Sequence, residues 1–391
     1  MLTFIHVSDL HIDRSFQAPD EAFETLRDIN GFVLENIIDN AIEKQVNFVI
    51  FAGDTFHQAR TSIQTQAHFI DQVKRLEEYG IPVILSFGNH DYYDKNRYWF
   101  EFPSNVYLFE SESVDTIRLD FEHSGEKVAI SGFSYTHPII TESKLPDFPE
   151  RDLASTYHIG VYHGENAPKG RFAPFSLSDM KEKGYDYWAL GHIHVPMTLS
   201  DEMSYIAYPG TPQGHNKKEN QVAGILHVTL EDNRVKKVYP IPVAQVLYHH
   251  LTIDLRESEN LVQAQKAITD VLAAQTIYTL SLDQTHNLDD EFVYSVQSGE
   301  LLDFLNEKFW VDSVQIIDRE KESKFNLFID EELVLNLVKE EDMKAVRNEM
   351  RANMPSELFE LFDEDFSAEL QESIYKEIKQ EYELTGVQYE N

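Results

Sequence analysis

The chain begins with an apolar run that ends in two residues of metal-ligand type, Leu2-Thr3-Phe4-Ile5-His6-Val7-Ser8-Asp9-Leu10-His11. Its β-branched and aromatic residues predict a buried strand over 2–7, and Asp9 and His11 follow where that strand ends. The run lacks a basic segment and a small-residue cleavage site, so we interpret it as a first β-strand rather than a signal peptide. Ligand-type residues at the carboxyl end of a strand are typical of ligand sites in open α/β sheets.

The same pattern recurs through the first half of the chain. Helical spacing of apolar residues over 21–44 and 63–79 separates the first three predicted strands. This strand–helix–strand order predicts a layered α/β domain, to which an antiparallel section is added after about residue 195. The further strands are predicted over 46–52, 83–87, 128–131, 159–162, 187–190, 204–208, 222–230 and 235–241.

Pro240-Ile241-Pro242 marks a domain boundary, so we predict one domain over 1–245 and a smaller α+β capping domain over 246–330. The pattern in the smaller domain predicts a split β-α-β layout. Its elements are strand 247–255, helix 260–274, strands 276–282 and 291–296, helix 299–309 and strand 312–318. Residues 331–391 are acidic, and we predict a helical tail there. The tail carries an apolar stripe that packs either on its own domain or on a partner: Phe366, Leu370, Ile374, Ile378 and Tyr382.

Composition excludes several classes of protein. The 391 residues carry a formal charge of −35, so most of the surface repels phosphate and a cationic nucleic-acid sleeve is excluded. Cysteine is absent, which excludes disulfides, thiolate metal sites and a cysteine nucleophile. The chain has neither a phosphate-binding loop of the Walker type nor an apolar run long enough to cross a bilayer. We therefore expect a cytoplasmic protein that does not associate with membranes.

Five short segments of ligand-type residues each follow a predicted strand. Because the carboxyl ends of parallel strands gather at one edge of a sheet, we expect these segments to converge in space. A single Gly-Asp or Gly-Asn pair is ordinary turn chemistry, but five such segments in order favour one common site. The segments are Asp9-Leu10-His11, Gly53-Asp54-Thr55-Phe56-His57, Gly88-Asn89-His90-Asp91, His163-Gly164-Glu165 and Gly191-His192-Ile193-His194.

Together the segments offer seven nitrogen and oxygen ligands, more than one tetrahedral ion needs. They suit two divalent ions with Asp54 as the bridging carboxylate, and imidazole with carboxylate favours Mn²⁺, Fe²⁺ or Zn²⁺ over Ca²⁺. Such a pair activates water for attack on phosphorus. His90 is the candidate general acid for the leaving oxygen, and His57 is a second candidate near the phosphate. The predicted ligands are Asp9, His11, Asp54, Asn89, His163, His192 and His194.

The order D-x-H, G-D, G-N-H-D, H-G, G-H-x-H resembles that of the calcineurin-like metallophosphoesterases. The first motif, His57 and the segment Tyr208-Pro209-Gly210-Thr211-Pro212 resemble the SbcD-type DNA repair exonuclease branch, nearest to YhaO-like bacterial proteins. The resemblance covers residues 1 to about 215. One departure is Leu10, where many members of the branch have tryptophan.

The resemblance implies a four-layer α/β/β/α sandwich followed by a capping domain and a C-terminal tail. It implies that one Mn²⁺ is bound by Asp9, His11, Asp54 and His194, and the other by Asp54, Asn89, His163 and His192. It makes His90 the catalytic histidine and His57 an aid to the transition state. It also implies that the tail docks onto the coiled-coil base of an SbcC-type ATPase, and that the chain forms a homodimer.

We therefore predict a Mn²⁺-dependent DNA exo- or endonuclease that acts in DNA repair with an ATPase subunit. Four basic or aromatic residues near the motifs are the candidates for substrate binding: Arg14, Tyr92, Arg171 and Lys217. The alternative is a phosphodiesterase or phosphatase for small molecules or phosphoproteins, which the acidity of the chain favours. A non-enzymatic scaffold is a third reading, but an intact ligand set argues against it.

Overall fold

A computed structural model describes residues 1–19, 22–26, 28–167, 169–220 and 224–317. The predicted acidic tail over 331–391, with its apolar stripe, lies outside the described residues. Among the residues described, no helix is both long enough and apolar enough to cross a bilayer.

Fifteen strands are found in the described part of the chain. They are β1 Leu2–Val7, β2 Phe48–Ala52, β3 Val83–Ser86, β4 Val106–Leu108, β5 Asp115–Phe121, β6 Glu126–Gly132, β7 Tyr157–His163, β8 Tyr187–Gly191, β9 Met197–Asp201, β10 Tyr205–Tyr208, β11 Ile225–Glu231, β12 Arg234–Ile241, β13 Leu247–Asp254, β14 Thr276–Asp283 and β15 Trp310–Ile316. The same part of the chain forms the helices α1 Phe23–Leu26, α2 Ile29–Glu43, α3 Ile63–Glu78, α4 Leu177–Glu182, α5 Leu261–Thr269, α6 Asp290–Gln297 and α7 Glu300–Asn306.

Two six-stranded sheets form the larger part of the molecule, with strand orders β12-β11-β1-β2-β3-β4 and β5-β6-β7-β8-β10-β9. The strands β1 to β4 run parallel, as do β6, β7, β8 and β10. The register keeps the strand ends level, because Ala52 pairs with Ser86 and His163 pairs with Gly191. The loops after these strands therefore leave the sheets at one common edge.

Alternation of side chains along the strands explains why the two sheets stack. In β1, Leu2 and Phe4 face the core between the sheets, whereas Ile5 and Val7 face the helices. The second sheet follows the same rule, since Ala189 of β8 points inward. Helices α2 and α3 cover the outside of the first sheet, and α4 with long loops covers the second. The predicted α/β sandwich class is thereby confirmed.

Residues 247–316 form a third, all-parallel sheet in the order β13-β14-β15, and α5, α6 and α7 pack on it around a separate core. The predicted strand over 291–296 is wrong, because this segment is helix α6. The aromatic and β-branched residues there indicate a strand, but Asp289 caps a helix by accepting a hydrogen bond from the backbone N–H of Phe292. Asp290 and Glu291 then stabilise its first turn.

Candidate metal centre

All seven predicted ligands come together at the common edge of the two large sheets. Asp9 and His11 follow β1, Asp54 follows β2 and Asn89 follows β3. His163 is the last residue of β7. Residues 192 and 194, both histidines, follow β8. Each sheet therefore contributes ligands to the same place.

One group of ligand atoms centres on His11 and His194, whose Nε2 atoms lie 3.2 Å apart. The Oδ1 of Asp9 is 3.9 Å from the His194 Nε2, and the Oδ2 of Asp54 is 3.8 Å from the His11 Nε2. Asp9, His11 and Asp54 are almost fully buried. These four residues match the set that the resemblance implies for the first ion.

A second group centres on the side-chain oxygen of Asn89. This oxygen lies 3.0 Å from the Nε2 of His163 and 3.0 Å from the Nδ1 of His192. The Oδ2 of Asp54 is 3.5 Å from the same His163 nitrogen. The Oδ2 of Asp54 also lies close to His11. The Asp54 carboxylate is therefore placed between the two groups, where a bridging carboxylate has to be.

These distances fit metal coordination. Ligand atoms that each lie about 2.1 Å from one ion are roughly 3.0–3.4 Å apart, close to the separations seen here. The donors are imidazole nitrogens and amide and carboxylate oxygens, a set that suits Mn²⁺, Fe²⁺ or Zn²⁺. The Nδ1 of His194 lies 2.8 Å from Glu219 Oε1, so the proton of this ring belongs on Nδ1 and its Nε2 is free to bind a metal.

Four of the ten non-glycine residues with positive φ in the described part of the chain are candidate ligands. Asp9, His11, Asp54 and His192 have φ values of 53°, 46°, 51° and 103°, in a region that non-glycine residues seldom occupy. Holding a residue there costs on the order of 1–3 kcal/mol, and such strain clusters at functional sites. Backbone conformations that cost stability locally are therefore found where they direct these side chains inward.

Gly53 and Gly88 leave room for the ligands. A Cβ at position 53 would lie 2.3 Å from the Nδ1 of His163, and one at position 88 would lie 2.2 Å from the Oδ1 of Asp54. Gly53 also has a φ of 90°. The glycines of the sequence motifs are thus required for the close approach of the ligand side chains.

Charge in the site is balanced between Asp54 and the imidazoles. Burial opposes charge on His163, but the Asp54 carboxylate raises the pKa of that ring to about 9. Burial also opposes charge on Asp54, and the positive His163 outweighs it and lowers the pKa of the carboxyl. By contrast, burial lowers the pKa of His192 to about 3, and the charge of His163 adds to this effect.

The two candidate catalytic histidines lie together beside the ligands. The rings of His57 and His90 stack with centroids 5.2 Å apart, and the His90 ring is 5.1 Å from that of His11. His90 is exposed, whereas His57 is half-buried. Burial lowers the pKa of His57, and its backbone N–H donates to Asp13. The His90 ring is therefore accessible to solvent and the His57 ring partly so.

The four residues predicted to bind substrate do not form one cluster, and each has different neighbours. Arg14 donates from Nη1 to Glu219 Oε1 at 2.8 Å, so it lies beside the ligand His194. Tyr92 follows Asp91 in the chain, and its partly buried ring lies under the guanidinium of Arg97. Arg171 is exposed. Lys217 faces the smaller domain, where its Nζ lies 3.3 Å from the Oδ2 of Asp312.

Two further carboxylates, Asp91 and Glu219, support the site, although the sequence predicted no role for either. Buried Asp91 accepts backbone hydrogen bonds from Gly88, Asp54 and Phe56, which ties two ligand loops together. Burial raises the pKa of Asp91 to about 8. Glu219 binds His194 and Arg14 through one oxygen. Asp91 could have been recognised from its position in the third motif, but the local sequence around Glu219 gives no such signal.

Comparison with known proteins supports this description. A family model described as calcineurin-like phosphoesterase matches residues 2–196. An uncharacterized metallophosphoesterase of Bacillus subtilis strain 168, YhaO, is 33% identical over 282 residues, which cover 70% of this chain and 68% of the relative. The chain therefore belongs to the calcineurin-like phosphoesterase family, whose members are phosphoester hydrolases that depend on a dinuclear metal site. The predicted superfamily is confirmed, and the SbcD-type branch stays a prediction.

Solved structures show more distant likeness. The calcineurin-like phosphoesterase YfkN of Bacillus subtilis aligns with 61% of this chain and 90% of its own, at 12% identity and a TM-score of 0.35. A structure described as a novel archaeal phosphodiesterase aligns with 61% of this chain and all of its own, at 13% identity and a TM-score of 0.32.

Proposed function

We propose that the chain is a phosphodiesterase that uses two divalent ions, with Mn²⁺ as the native metal and DNA as the substrate. The observation that carries this proposal is the convergence of seven ligand-type side chains from two sheets, with Asp54 between the two groups. Residues Asp9, His11, Asp54 and His194 would hold one ion, and Asp54, Asn89, His163 and His192 the other. When bound, the ions supply a water activated for attack and positive charge at the phosphate oxygens.

The chain's own residues complete the reaction. His90 is exposed beside the ligands, so it donates the proton that the leaving oxygen needs. His57 stacks on His90 and provides a hydrogen bond to a phosphate oxygen in the transition state. Arg14 is held by Glu219 beside His194, and its guanidinium attracts the phosphate of the incoming strand.

We propose that the chain divides into a larger domain over 1–245 and a smaller domain over 246–330. The smaller domain caps the site. The hydroxyl of Tyr248 in β13 lies 2.8 Å from the backbone oxygen of Gln17 and 2.7 Å from that of His215, and its single proton is donated to one of them. Lys217 pairs with Asp312 of β15. Both contacts fall on the segment that carries Glu219, so the position of the smaller domain is tied to the segment that orients His194.

The test is hydrolysis by the purified protein with Mn²⁺. We expect cleavage of bis(p-nitrophenyl) phosphate, a minimal diester, and of linear DNA. His90→Ala should remove activity on DNA, whose leaving oxygen needs a proton. The same variant should keep a larger fraction of its activity on the nitrophenyl diester than on DNA, because the nitrophenolate leaving group is stable without a proton. Activity on the nitrophenyl diester without DNA cleavage would support a phosphodiesterase for small molecules, which the charge of −35 favours.

We also propose that a coiled-coil ATPase of the SbcC type is the partner, docked by residues 331–391. This proposal rests on the resemblance and on the apolar stripe of the sequence. Deletion of 331–391 should abolish co-purification with such an ATPase while Mn²⁺ binding is retained. Co-purification that survives the deletion would contradict the docking role.

A further inference from the structure

A groove of about 800 Å³ lies next to the candidate metal centre, between the loops that follow β2 and β3. It begins at Gln58, the neighbour of His57, and at Tyr92, the neighbour of Asp91. Most of the residues that line it have aromatic, amide or cationic side chains, and the others are small. The lining is Gln58, Ala59, Arg60, Thr61, Tyr92, Asn96, Arg97, Tyr98 and Trp99.

The charge of this groove is the opposite of the charge of the chain. The sequence has 68 acidic and 33 basic residues, yet the lining contains two arginines and no carboxylate. Arg60 forms no ion pair within the described ranges, and Arg97 shares its charge with Asp94 at 3.4 Å. A positive groove in an acidic protein favours a ligand with phosphate groups.

The groove contains three aromatic residues, of which Tyr92 and Tyr98 are partly buried and Trp99 is exposed, so Trp99 is the ring that can stack on a nucleobase. Residue Trp99 is 71% exposed, an unusual state for a residue with so large a ring. The guanidinium of Arg97 lies 4.8 Å over the centre of the Tyr92 ring, where it presents a flat cationic face. Exposed aromatic faces beside arginine are what proteins use to bind unpaired bases.

The loop that carries these rings is held in place before any ligand binds. The buried amide of Gln66 in α3 donates to the backbone oxygen of Arg97 at 3.0 Å and accepts from the backbone N–H of Trp99 at 2.9 Å. Tyr98 packs against Phe56 and Phe102. A ring exposed on a fixed loop binds with little loss of conformational freedom.

A neighbouring groove of about 450 Å³ on the other side of Trp99 is less suitable. Its lining includes the carboxylates of Glu101 and Glu110, the rings of Phe100 and Phe102, and one cation, Lys95. These carboxylates repel phosphate, so the groove that contains Arg60 and Arg97 is the one that fits a nucleic acid.

We propose that this groove binds an unpaired nucleobase of a single-stranded nucleic acid, adjacent to the phosphate that is cleaved. This inference rests on the proposed phosphodiesterase function and adds a strand preference to it. Trp99 stacks on the base, and Arg60 and Arg97 attract the phosphates on either side. Duplex DNA, whose bases are stacked internally, cannot use this binding site unless a terminal base pair opens.

The test compares two probes that differ only in their bases. One is a thymidine octamer with phosphorothioate linkages, which resist cleavage, and the other is an abasic octamer with the same linkages. With Mn²⁺ present, we expect the full-length protein to bind the thymidine octamer about tenfold more tightly. The thymidine octamer should also quench tryptophan fluorescence, and the abasic octamer should not. The quenched signal can be assigned to Trp99, because Trp188 is fully buried and Trp310 is partly buried.

Variants assign the preference to the groove. Trp99→Ala should remove the tenfold difference, and Trp99→Phe should retain most of it because a ring remains. Tyr294→Ala is the matched control, since Tyr294 is 58% exposed but lies in the smaller domain. It should change neither the preference nor hydrolysis of the nitrophenyl diester.

Equal affinity of the wild-type protein for the two octamers, with the nitrophenyl diester still hydrolysed, would overturn the base-binding groove and leave the proposed function intact. Absence of diester hydrolysis in the wild-type protein would overturn the proposed function instead. If Trp99→Ala converts a dimer to a monomer in solution and leaves the preference for bases unchanged, the groove is an interface between two copies and the inference is wrong.

Discussion

Two buried histidines, His6 between the sheets and His163 at their edge, show what distinguishes a structural imidazole from a candidate ligand. The nitrogens of His6 each lie 3.0 Å from a neutral partner, the Tyr187 hydroxyl and the Leu190 backbone oxygen. The Nε2 of His163 instead faces Asn89 and Asp54, which also face other imidazoles. Both rings are almost fully buried and both have hydrogen-bond partners.

The electrostatic consequences differ as well. Burial lowers the pKa of His6 to about 3, so this ring stays neutral and stabilises the core. At His163 the nearby carboxylate outweighs burial and raises the pKa to about 9, so the site attracts a positive charge. Burial and hydrogen bonding are therefore common to both regions. Among the residues that the structure describes, groups of several ligand-type atoms directed at one another are found at the edge.

The largest effect is expected for Asp54→Asn, which removes the charge shared by the two ligand groups. We expect hydrolysis of the nitrophenyl diester to fall by about a thousandfold or more, because two-metal sites contribute several kcal/mol of transition-state stabilisation. Circular dichroism should show an intact fold. Activity within about tenfold of the wild type would show that Asp54 does not bridge two ions.

A second prediction uses two glycines with left-handed backbones, at φ values of 90° and 66°. Gly53→Ala places a Cβ 2.3 Å from His163, whereas nothing lies within 4 Å of a Cβ at Gly80. Both variants should lose about 1 kcal/mol of stability from backbone strain, and Gly53→Ala should lose more because its Cβ clashes with the buried His163. Only Gly53→Ala should weaken Mn²⁺ binding, by about a hundredfold, as measured by titration calorimetry. Equal metal affinity in the two variants would mean that the position of His163 is not critical.

Glu219→Gln tests whether a carboxylate outside the ligand set orients His194. Loss of such a partner reduces metal affinity by about tenfold or more. Glu202→Gln is the control, because Glu202 pairs with Lys181 at an exposed position. We expect the Mn²⁺ dissociation constant to rise for Glu219→Gln alone. An unchanged constant would assign Glu219 only to the binding of Arg14 and His215.

The smallest effect on the metal site is expected for His6→Phe, which leaves Tyr187 and Leu190 without their partner. Unfolding in urea should show a loss of about 1–3 kcal/mol at neutral pH, with metal affinity unchanged. Because the folded pKa of about 3 lies below the ordinary 6.5, His6 stabilises the fold above pH 6.5 and loses this contribution as the pH falls toward 3. The variant should therefore lose less stability than the wild type between pH 7 and 4. A parallel loss in both proteins would contradict the role given to His6.

The convergence of the five segments could be predicted from the sequence because each segment is short and follows its own strand. Residues such as Asp9 and His11 need only the end of β1 to reach the edge. Glu219 could not be predicted, since its role depends on contacts with Arg14 and His194, far away in the sequence. The strand predicted over 291–296 failed for a related reason, because the residues within it indicate a strand while the capping Asp289 lies just before it.

The most direct test of the central claim is anomalous diffraction from crystals of the full chain soaked in Mn²⁺. The proposed site predicts two manganese peaks about 3.5–4 Å apart, with the Asp54 carboxylate between them. A map with no peak at this edge, or with a single ion that Asp54 does not contact, would contradict the dinuclear centre.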